Sequence, residues 1–425
     1  MQLWRWMGLE TATSAERRAT FWVAAMFFFS LCGTFVLRPL RDQLGVDRGV
    51  AQLPYLYSLT LLATVIVVLP FWWLANRMPS RRFVPAMLHV FTGSLVLLAI
   101  GLSLVGDYAW REMPWLGEVF WGGFSALNVA VPALVWIHAV EHFGRGQARR
   151  LFGLVAVGGT GGALAGSWLS GLLSDQPVWI AGVGSAVFLQ LARISFQRSG
   201  PHCQQLEGGD ASSRRFERGG LLEGLRLLKN DRRTWWIAFY MMLFGLVATA
   251  FYAAQTELLA DFDRAEEQHR WLADTEFYAQ ALVLGLQLFA TGRLMSRLPA
   301  VLLLVSLPVV SIVGLSVWWI APTAAAIFFV QIARRGARFA LEKPAREVLY
   351  TPFDLATKHK VKFLLDTFAY RLGDLLGAFL QVGLRKMELS TGAIVLVTIA
   401  FALVAVAVAL AIARGQRDAS PESIA

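Results

Sequence analysis

Charged residues and cysteines are scarce in this chain. Only 16% of its 425 residues are charged, whereas about a quarter are charged in an ordinary soluble domain. The two cysteines, Cys32 and Cys203, have neither the number nor the spacing of a disulfide framework or a metal site. We expect both thiols to be free, Cys32 within an apolar segment and Cys203 within a polar linker. The composition excludes a soluble globular domain and a disulfide-rich secreted one.

Apolar residues, by contrast, are abundant. They make up 56% of the chain, and segments of about 20 such residues, enough to cross about 30 Å of hydrocarbon, recur along its length. These segments predict an all-α polytopic membrane protein with about 12 transmembrane helices. The first segment is interpreted as a span, because no small-residue cleavage site follows it. The predicted spans are residues 20–40, 52–75, 83–105, 115–140, 151–173, 178–195, 234–258, 275–292, 299–320, 322–347, 362–384 and 391–413.

Basic residues are concentrated between the predicted spans. Because loops rich in Lys and Arg stay in the cytoplasm, this bias predicts that both termini lie on the cytoplasmic side. We expect the membrane to be the bacterial inner membrane. We attribute the net charge of +10 to contact with anionic membrane lipid, and no nucleic-acid partner is expected. We expect a monomer whose partners are a small solute and the lipid.

A polar segment divides the spans into two sets of six. Residues 196–233 are rich in glycine, serine and mixed charges, a composition typical of a flexible linker. We therefore predict an N-terminal six-helix half over residues 1–195, a cytoplasmic linker over 196–233, and a C-terminal six-helix half over 234–425.

Two pairs of similar segments relate these halves. Short basic loops are predicted after the second and eighth spans, at residues 76–82 and 292–299, and residues 150–153 before the fifth span are echoed by residues 362–365 before the eleventh. Parallel six-helix halves with a site between them describe the major facilitator architecture, in which rocking of the halves alternates access. The first loop supplies candidate residues for a cytoplasmic gate, Arg77, Arg81 and Arg82.

Several motifs carry a resemblance to known families. The loop at 76–82 is similar to the Arg-rich loop between spans two and three of major facilitators, with Ala75 and Asn76 in place of the usual glycine and aspartate. Residues 37–42, Leu-Arg-Pro-Leu-Arg-Asp, resemble the Leu-Arg-x-x-Lys/Arg-Asp signature of the ATP/ADP translocases of plastids and intracellular bacteria. Residues 335–347 and 360–366 are similar to the tenth and eleventh spans of the same family. The resemblance implies a secondary transporter of a nucleotide or another small anion.

The end of span one contains a cluster of charges. A charge at membrane depth normally faces a partner or an aqueous cavity. Arg38, Arg41 and Asp42 lie on neighbouring faces of one helix. Two guanidinium groups beside one carboxylate leave a net positive charge that suits phosphate or carboxylate oxygens. In the alternative interpretation, the cluster only reaches the outer interface; the resemblance to the translocases favours solute binding.

Span ten is the most highly charged. Arg334, Arg338 and Glu342 recur every four residues, so a regular α-helix would align them in one stripe and pair Arg338 with Glu342. We predict that Arg334 and Arg338 line the solute path. Beyond them, the sequence predicts gate residues in span ten and at the end of span four: Arg346, Glu347 and Glu141.

Span eleven carries Asp366, Arg371 and Asp374. Arg371 and Asp374 are three residues apart and are predicted to pair, which leaves Asp366 to bond elsewhere or to relay a proton. A structural ion pair between helices is the alternative. Glu118 and Glu257 are further candidates for the same charge network.

Other patterns argue against an enzyme, a cofactor or a metal. The glycines at 158–162 are not followed by the Lys-Ser/Thr of a P-loop; their four-residue spacing, continued at Gly166, instead predicts a close approach of two membrane helices. His138 and His142 lack a third ligand for zinc. We therefore predict a secondary transporter of a small anionic solute. A proton-coupled exporter of another small molecule and a non-transporting receptor or scaffold are the alternatives.

Overall fold

The chain is built from long helices. The computed structural model describes residues 12–75, 77–206, 231–350 and 364–418, and within these ranges there are twelve long helices and no strand. This confirms the predicted all-α fold. The first six helices are α1 (Ser14–Arg48), α2 (Leu53–Ala75), α3 (Ser80–Val105), α4 (Pro114–His142), α5 (Arg145–Leu172) and α6 (Val178–Gln204).

Three of the second six helices are irregular. Helix α7 (Arg232–Ala260), α9 (Ala300–Ile320) and α12 (Thr391–Asp418) are continuous α-helices. Helices α8 (265–297), α10 (324–349) and α11 (365–386) each contain one π-helical segment, at Gln287–Thr291, Ala337–Glu342 and Leu365–Ala369 respectively. Such turns insert an extra residue into the helical repeat and are frequent at functional sites.

Nine of the described helices are long and apolar enough to cross a membrane, namely α1 to α7, α9 and α12. The remaining three, α8, α10 and α11, are the helices with π-helical segments, and they carry many of the charged residues of the second half. The protein is therefore a multi-pass membrane protein in which irregular backbone and buried charge coincide. Helix α8 also runs through the predicted loop at 292–299, since Gly292–Arg297 is helical.

The chain divides into two compact units. The first contains residues 1–40 and 65–217, and the second contains residues 41–64 and 218–425. The last residues of α1 and the first half of α2 thus belong to the second unit. The predicted halves and their linker remain a prediction, because residues 207–230 lie outside the described ranges.

One expectation about the linker is wrong. Helix α6 continues to Gln204, and Cys203 is fully buried within it rather than placed in a polar segment. Its Sγ lies 3.9 Å from Nε2 of His138 on α4, and the same Nε2 is 2.7 Å from the hydroxyl of Ser199. The helix extends beyond the predicted span because its last turns pack on α4.

Glycines set the closest helix contact in the first unit. Helix α5 lies directly against α1, and a Cβ added at any of three glycines would overlap the backbone of α1. This confirms the predicted close approach of two helices. The pairs in contact are Gly158 with Ala24, Gly162 with Phe28, and Gly166 with Cys32.

In the second unit, glycines likewise allow a close contact between α7 and α11. A Cβ at Gly245 would lie 2.8 Å from the carbonyl oxygen of Tyr370, and one at Gly377 would lie 2.8 Å from that of Leu246. Gly373 meets the backbone of Met242 in the same way. Helices α5 and α11 correspond to the fifth and eleventh predicted spans, which begin at the similar segments 150–153 and 362–365. They therefore make equivalent glycine contacts, α5 with α1 and α11 with α7, the first helix of each set of six.

A matched pair of substitutions tests the α1–α5 contact. Gly162→Ala should lower the unfolding temperature of the purified protein, because the methyl group must push α1 away and overpacking costs about 1 to 3 kcal/mol. Gly153→Ala on the same helix meets nothing within 4 Å and should be neutral or mildly stabilising, since alanine favours helix by about 0.8 to 1 kcal/mol. Equal unfolding temperatures for the two variants would contradict this packing.

Helix α7 forms the centre of the second unit. In its apolar span 78% of the residues are buried, the highest share among the nine spanning helices. Tyr240 and Phe244 belong to a buried cluster that includes side chains of α9 and α12, and Phe251 belongs to a second cluster with α9, α10 and α12. These aromatic rings form the surface on which the arginines of α10 lie.

Candidate functional site

The charges at the end of α1 separate into two groups. Arg41 and Asp42 form an ion pair, with Nη1 and Oδ1 2.7 Å apart, and both side chains are largely buried. The guanidinium of Arg41 lies 5.8 Å from the ring centroid of Tyr252, whose hydroxyl donates to the backbone oxygen of Asp42 at 3.3 Å. Tyr57 packs edge-on against Tyr252. Arg38, in the first unit, is half-buried and lies over the ring of Phe35.

Arg338 on α10 is surrounded by aromatic rings. Its guanidinium lies 4.5 Å from the ring centroid of Tyr370, 5.0 Å from Phe244 and 5.1 Å from Phe339. Nη1 donates to the Tyr370 hydroxyl at 3.1 Å. No described carboxylate lies within ion-pair distance of Arg338. A guanidinium in a neutral setting of this kind keeps donors available for a ligand.

The expected pair between Arg338 and Glu342 is wrong. Residues 337–342 form a π-helical segment, which widens the helical repeat. The four-residue spacing therefore no longer places the two side chains together. Glu342 is fully buried and accepts instead from Nε of Arg346 at 2.9 Å.

The predicted pair on α11 is confirmed. Arg371 and Asp374 are joined by an Nη1 to Oδ2 distance of 3.5 Å. The buried carboxylate of Asp374 also lies near Tyr370 and interacts electrostatically with Arg338 and Arg41. Among the described residues, three predicted site arginines of the second unit thus lie near two aspartates, and these five side chains carry one positive charge in excess.

Arg346 links α10 to α11. It donates to Glu342 at 2.9 Å and to Oδ1 of Asp366 at 2.5 Å. The structure therefore joins a predicted gate residue to a predicted coupling residue in one buried cluster. Oε2 of Glu342 is buried and has no hydrogen-bond partner among the described residues. Two described carboxylates therefore share one guanidinium here.

The other predicted residues lie in more open surroundings. Arg77 is exposed and its guanidinium lies 4.0 Å from the ring centroid of Trp73, and the first turn of α3 carries two exposed arginines. Glu257 pairs with Arg385 on α11 at 2.6 Å, with 44% of the Glu257 side chain exposed. The two exposed arginines in the first turn of α3 are Arg81 and Arg82. The side chains of Glu118, Glu141 and Glu347 are half-buried.

Sequence reasoning missed the neutral partners of the arginines. Tyr57, Tyr252 and Tyr370 surround Arg41 and Arg338, yet a tyrosine in a span is usually an interfacial or core residue. It also missed ion pairs between helices, among them Arg150 with Glu16 and Arg335 with Glu276. Both connect residues far apart in the chain, which helical spacing cannot reveal.

Long spanning helices with buried charges and glycine-mediated packing define a multi-pass helical membrane protein. Residues 19–340 match the sequence model of the Major Facilitator Superfamily. The match covers well over half of the chain, so the protein belongs to this superfamily and is a secondary transporter rather than an enzyme. No curated protein matches the chain.

Solved transporter structures share the fold. The nucleoside transporter NupG is 16% identical with a TM-score of 0.60, over 94% of this chain and 98% of that one. A bacterial homologue of the human lysosomal transporter Spinster, in an inward-facing and unoccupied conformation, is 14% identical with a TM-score of 0.55, over 95% and 98% of the two chains. A variant of the E. coli fucose:proton symporter FucP is 13% identical with a TM-score of 0.54, over 93% and 97%. At these identities the likeness shows the fold alone.

Proposed function

We propose that the protein carries a small anionic solute across the bacterial inner membrane by alternating access, with both termini in the cytoplasm. The observation that supports this most is the excess of one positive charge among five described side chains of the second unit, three arginines and two aspartates. Among the described residues, the hydrogen-bond and ring partners of Arg338 are neutral, and Arg41, Arg371, Asp42 and Asp374 lie in the same electrostatic neighbourhood. An anion entering this group would offset the surplus charge.

Arg338 and Arg41 are the residues to which we assign the solute. A guanidinium presents five donors in a planar fork that fits two oxygens of a phosphate or carboxylate. The rings around Arg338 hold that plane in place without neutralising it. Arg334 faces a cavity of only about 10 Å³, too small for an organic solute. Arg38, in the first unit, remains a candidate contact on the strength of the translocase-like motif.

The solute class that we propose is a phosphorylated or carboxylated metabolite. The resemblance of residues 37–42 to the ATP/ADP translocases supports a phosphate-bearing solute, and the bidentate geometry of arginine suits either group. A second candidate, proton-coupled export of another small molecule, is favoured by the two carboxylates that share Arg346.

Coupling and gating are assigned to the remaining charges. Two carboxylates on one arginine can hold a proton more readily than a single matched pair can. We therefore propose that Glu342, Arg346 and Asp366 form a coupling site. The proposed gate residues are Arg77, Arg81, Arg82, Glu141, Arg346 and Glu347, and the wider charge network includes Glu118, Glu257, Arg371 and Asp374.

Ligand-dependent unfolding tests the proposal and at the same time searches for the solute. The purified protein is melted with a panel of phosphorylated and carboxylated metabolites, each beside a neutral analogue of similar size. A bound anion at 100 times its Kd should stabilise the fold by about 2.7 kcal/mol, and its neutral analogue should not. Arg338→Gln should abolish this difference, whereas Arg297→Gln, on the exposed end of α8, should keep it. Stabilisation by neutral members alone would favour the second candidate.

A further inference from the structure

We infer that Arg334 and Ser311 form a binding site for one small inorganic anion, with chloride as the most abundant ligand of that class. The site lies among α7, α9, α10 and α12 of the second unit and does not include Arg338. It therefore goes beyond the proposed solute site and does not depend on it.

The first argument is the charge of Arg334. Its residue exposure is only 8%, and no described carboxylate lies within 4.0 Å of its guanidinium. Nε donates to the Ser311 hydroxyl at 3.3 Å and Nη1 to Oε1 of Gln331 at 3.0 Å, while the group lies 3.9 Å from the ring centroid of Phe251. Each of these three partners is neutral. A buried charge without a counter-charge is costly, so an anionic ligand is favoured.

The second argument is an excess of hydrogen-bond donors. The Ser311 hydroxyl donates to the carbonyl oxygen of Leu307 at 2.8 Å, so it acts as an acceptor towards Arg334. The amide of Gln331 donates to Oε1 of Gln255 at 2.8 Å. Nε2 of Gln255 is then buried with no acceptor in the described part of the chain. The hydrogen-bonded side chains of Arg334, Ser311, Gln331 and Gln255 therefore have more donors than acceptors. An anion only accepts hydrogen bonds, so it would offset this excess of donors.

The third argument is the size and chemistry of the neighbouring cavity. It measures about 10 Å³, which is room for one occupant of about the size of a water molecule. A buried water normally makes two to four hydrogen bonds, roughly three on average, and this cavity offers polar groups only from Arg334 and Ser311. A monatomic anion needs positive charge rather than directed bonds. Its remaining walls are apolar: Phe244, Val247, Leu307, Pro308, Ala402 and Ala405.

Unfolding temperatures in matched salts test this site. The purified protein is melted in sodium gluconate and in mixtures that replace gluconate with chloride at constant ionic strength. Chloride should raise the unfolding temperature along a saturable curve, because a ligand that binds only the folded state stabilises it. Bromide, the larger halide, should act in the same direction but more weakly, whereas gluconate is too large for the cavity. No transported solute is present, so failure here leaves the solute proposal intact.

Variants connect the effect to the site. Arg334→Gln should abolish the chloride dependence. Ser311→Ala removes the acceptor that holds Nε of Arg334 in place, so it should raise the half-saturating chloride concentration by roughly tenfold. Arg297→Gln, which removes an exposed charge from α8, should respond like the wild type. Should Arg334→Gln fail to fold, Ser311→Ala still decides the matter. The inference is overturned if the wild type melts at the same temperature in both salts, or if either site variant retains the full response.

Discussion

Replacing Arg346 with alanine should destabilise the protein by about 3 to 5 kcal/mol, the expected cost of breaking a buried ion pair from one side. The substitution leaves Glu342 and Asp366 without their shared cation, and Glu342 is fully buried. It also removes the link between α10 and α11. The change is measured as the loss of unfolding free energy in detergent.

Two further variants test whether the destabilisation by Arg346→Ala comes from the loss of the buried ion pairs. Arg385→Ala breaks the pair with Glu257, whose side chain is 44% exposed, and should cost less than about 1 kcal/mol. Adding Glu342→Gln and Asp366→Asn to Arg346→Ala should restore part of the stability, because the stranded charges are gone. If Arg346→Ala were no more harmful than Arg385→Ala, the cluster would not contribute to the fold as described.

Loss of Arg338 or Arg41 should weaken binding of the anionic solute by roughly 10 to 150 fold, the equivalent of a charged hydrogen bond worth about 1.5 to 3 kcal/mol. Arg338→Lys and Arg41→Lys should recover only part of the affinity, since an ammonium group lacks the planar fork and stacks less well on the rings. Affinity is measured by titrating the solute that gives the largest thermal stabilisation.

Stability must be followed in parallel for these variants. Arg41 pairs with Asp42, so its loss strands a buried carboxylate, whereas the hydrogen-bond and ring partners of Arg338 in the described part of the chain are neutral. Arg338→Ala is therefore the cleaner test, and Arg297→Ala serves as the exposed control. Folded Arg338 and Arg41 variants with unchanged affinity would move solute binding to other arginines, Arg38 first among them.

The membrane fold was predictable because hydrophobicity leaves a strong local signal. Each apolar run of spanning length corresponds to a helix, and the four-residue spacing of Gly158, Gly162 and Gly166 correctly indicated a tight helix contact. The pair formed by Arg371 and Asp374 was equally local, since three residues bring them to one helix face.

Features that depend on irregular backbone or on distant partners could not be predicted. The π-helical segment at 337–342 changes the side-chain register, so the spacing of Arg338 and Glu342 was misleading. The bond from Arg346 to Asp366 joins two helices, and no spacing rule indicates it. The tyrosines near Arg41 and Arg338 carry no charge and resemble ordinary interfacial residues in the sequence.

Uptake into proteoliposomes tests the central claim most directly. Wild-type and Arg338→Gln proteins are reconstituted at equal density, and entry of the stabilising anion is compared with entry of its neutral analogue, with and without a pH gradient. We expect the wild type to take up the anion and not the analogue, and the variant to lose most of the anion uptake. Equal uptake of anion and analogue by the wild type, or unchanged anion uptake by Arg338→Gln, would contradict the proposal that surplus arginine charge selects the solute.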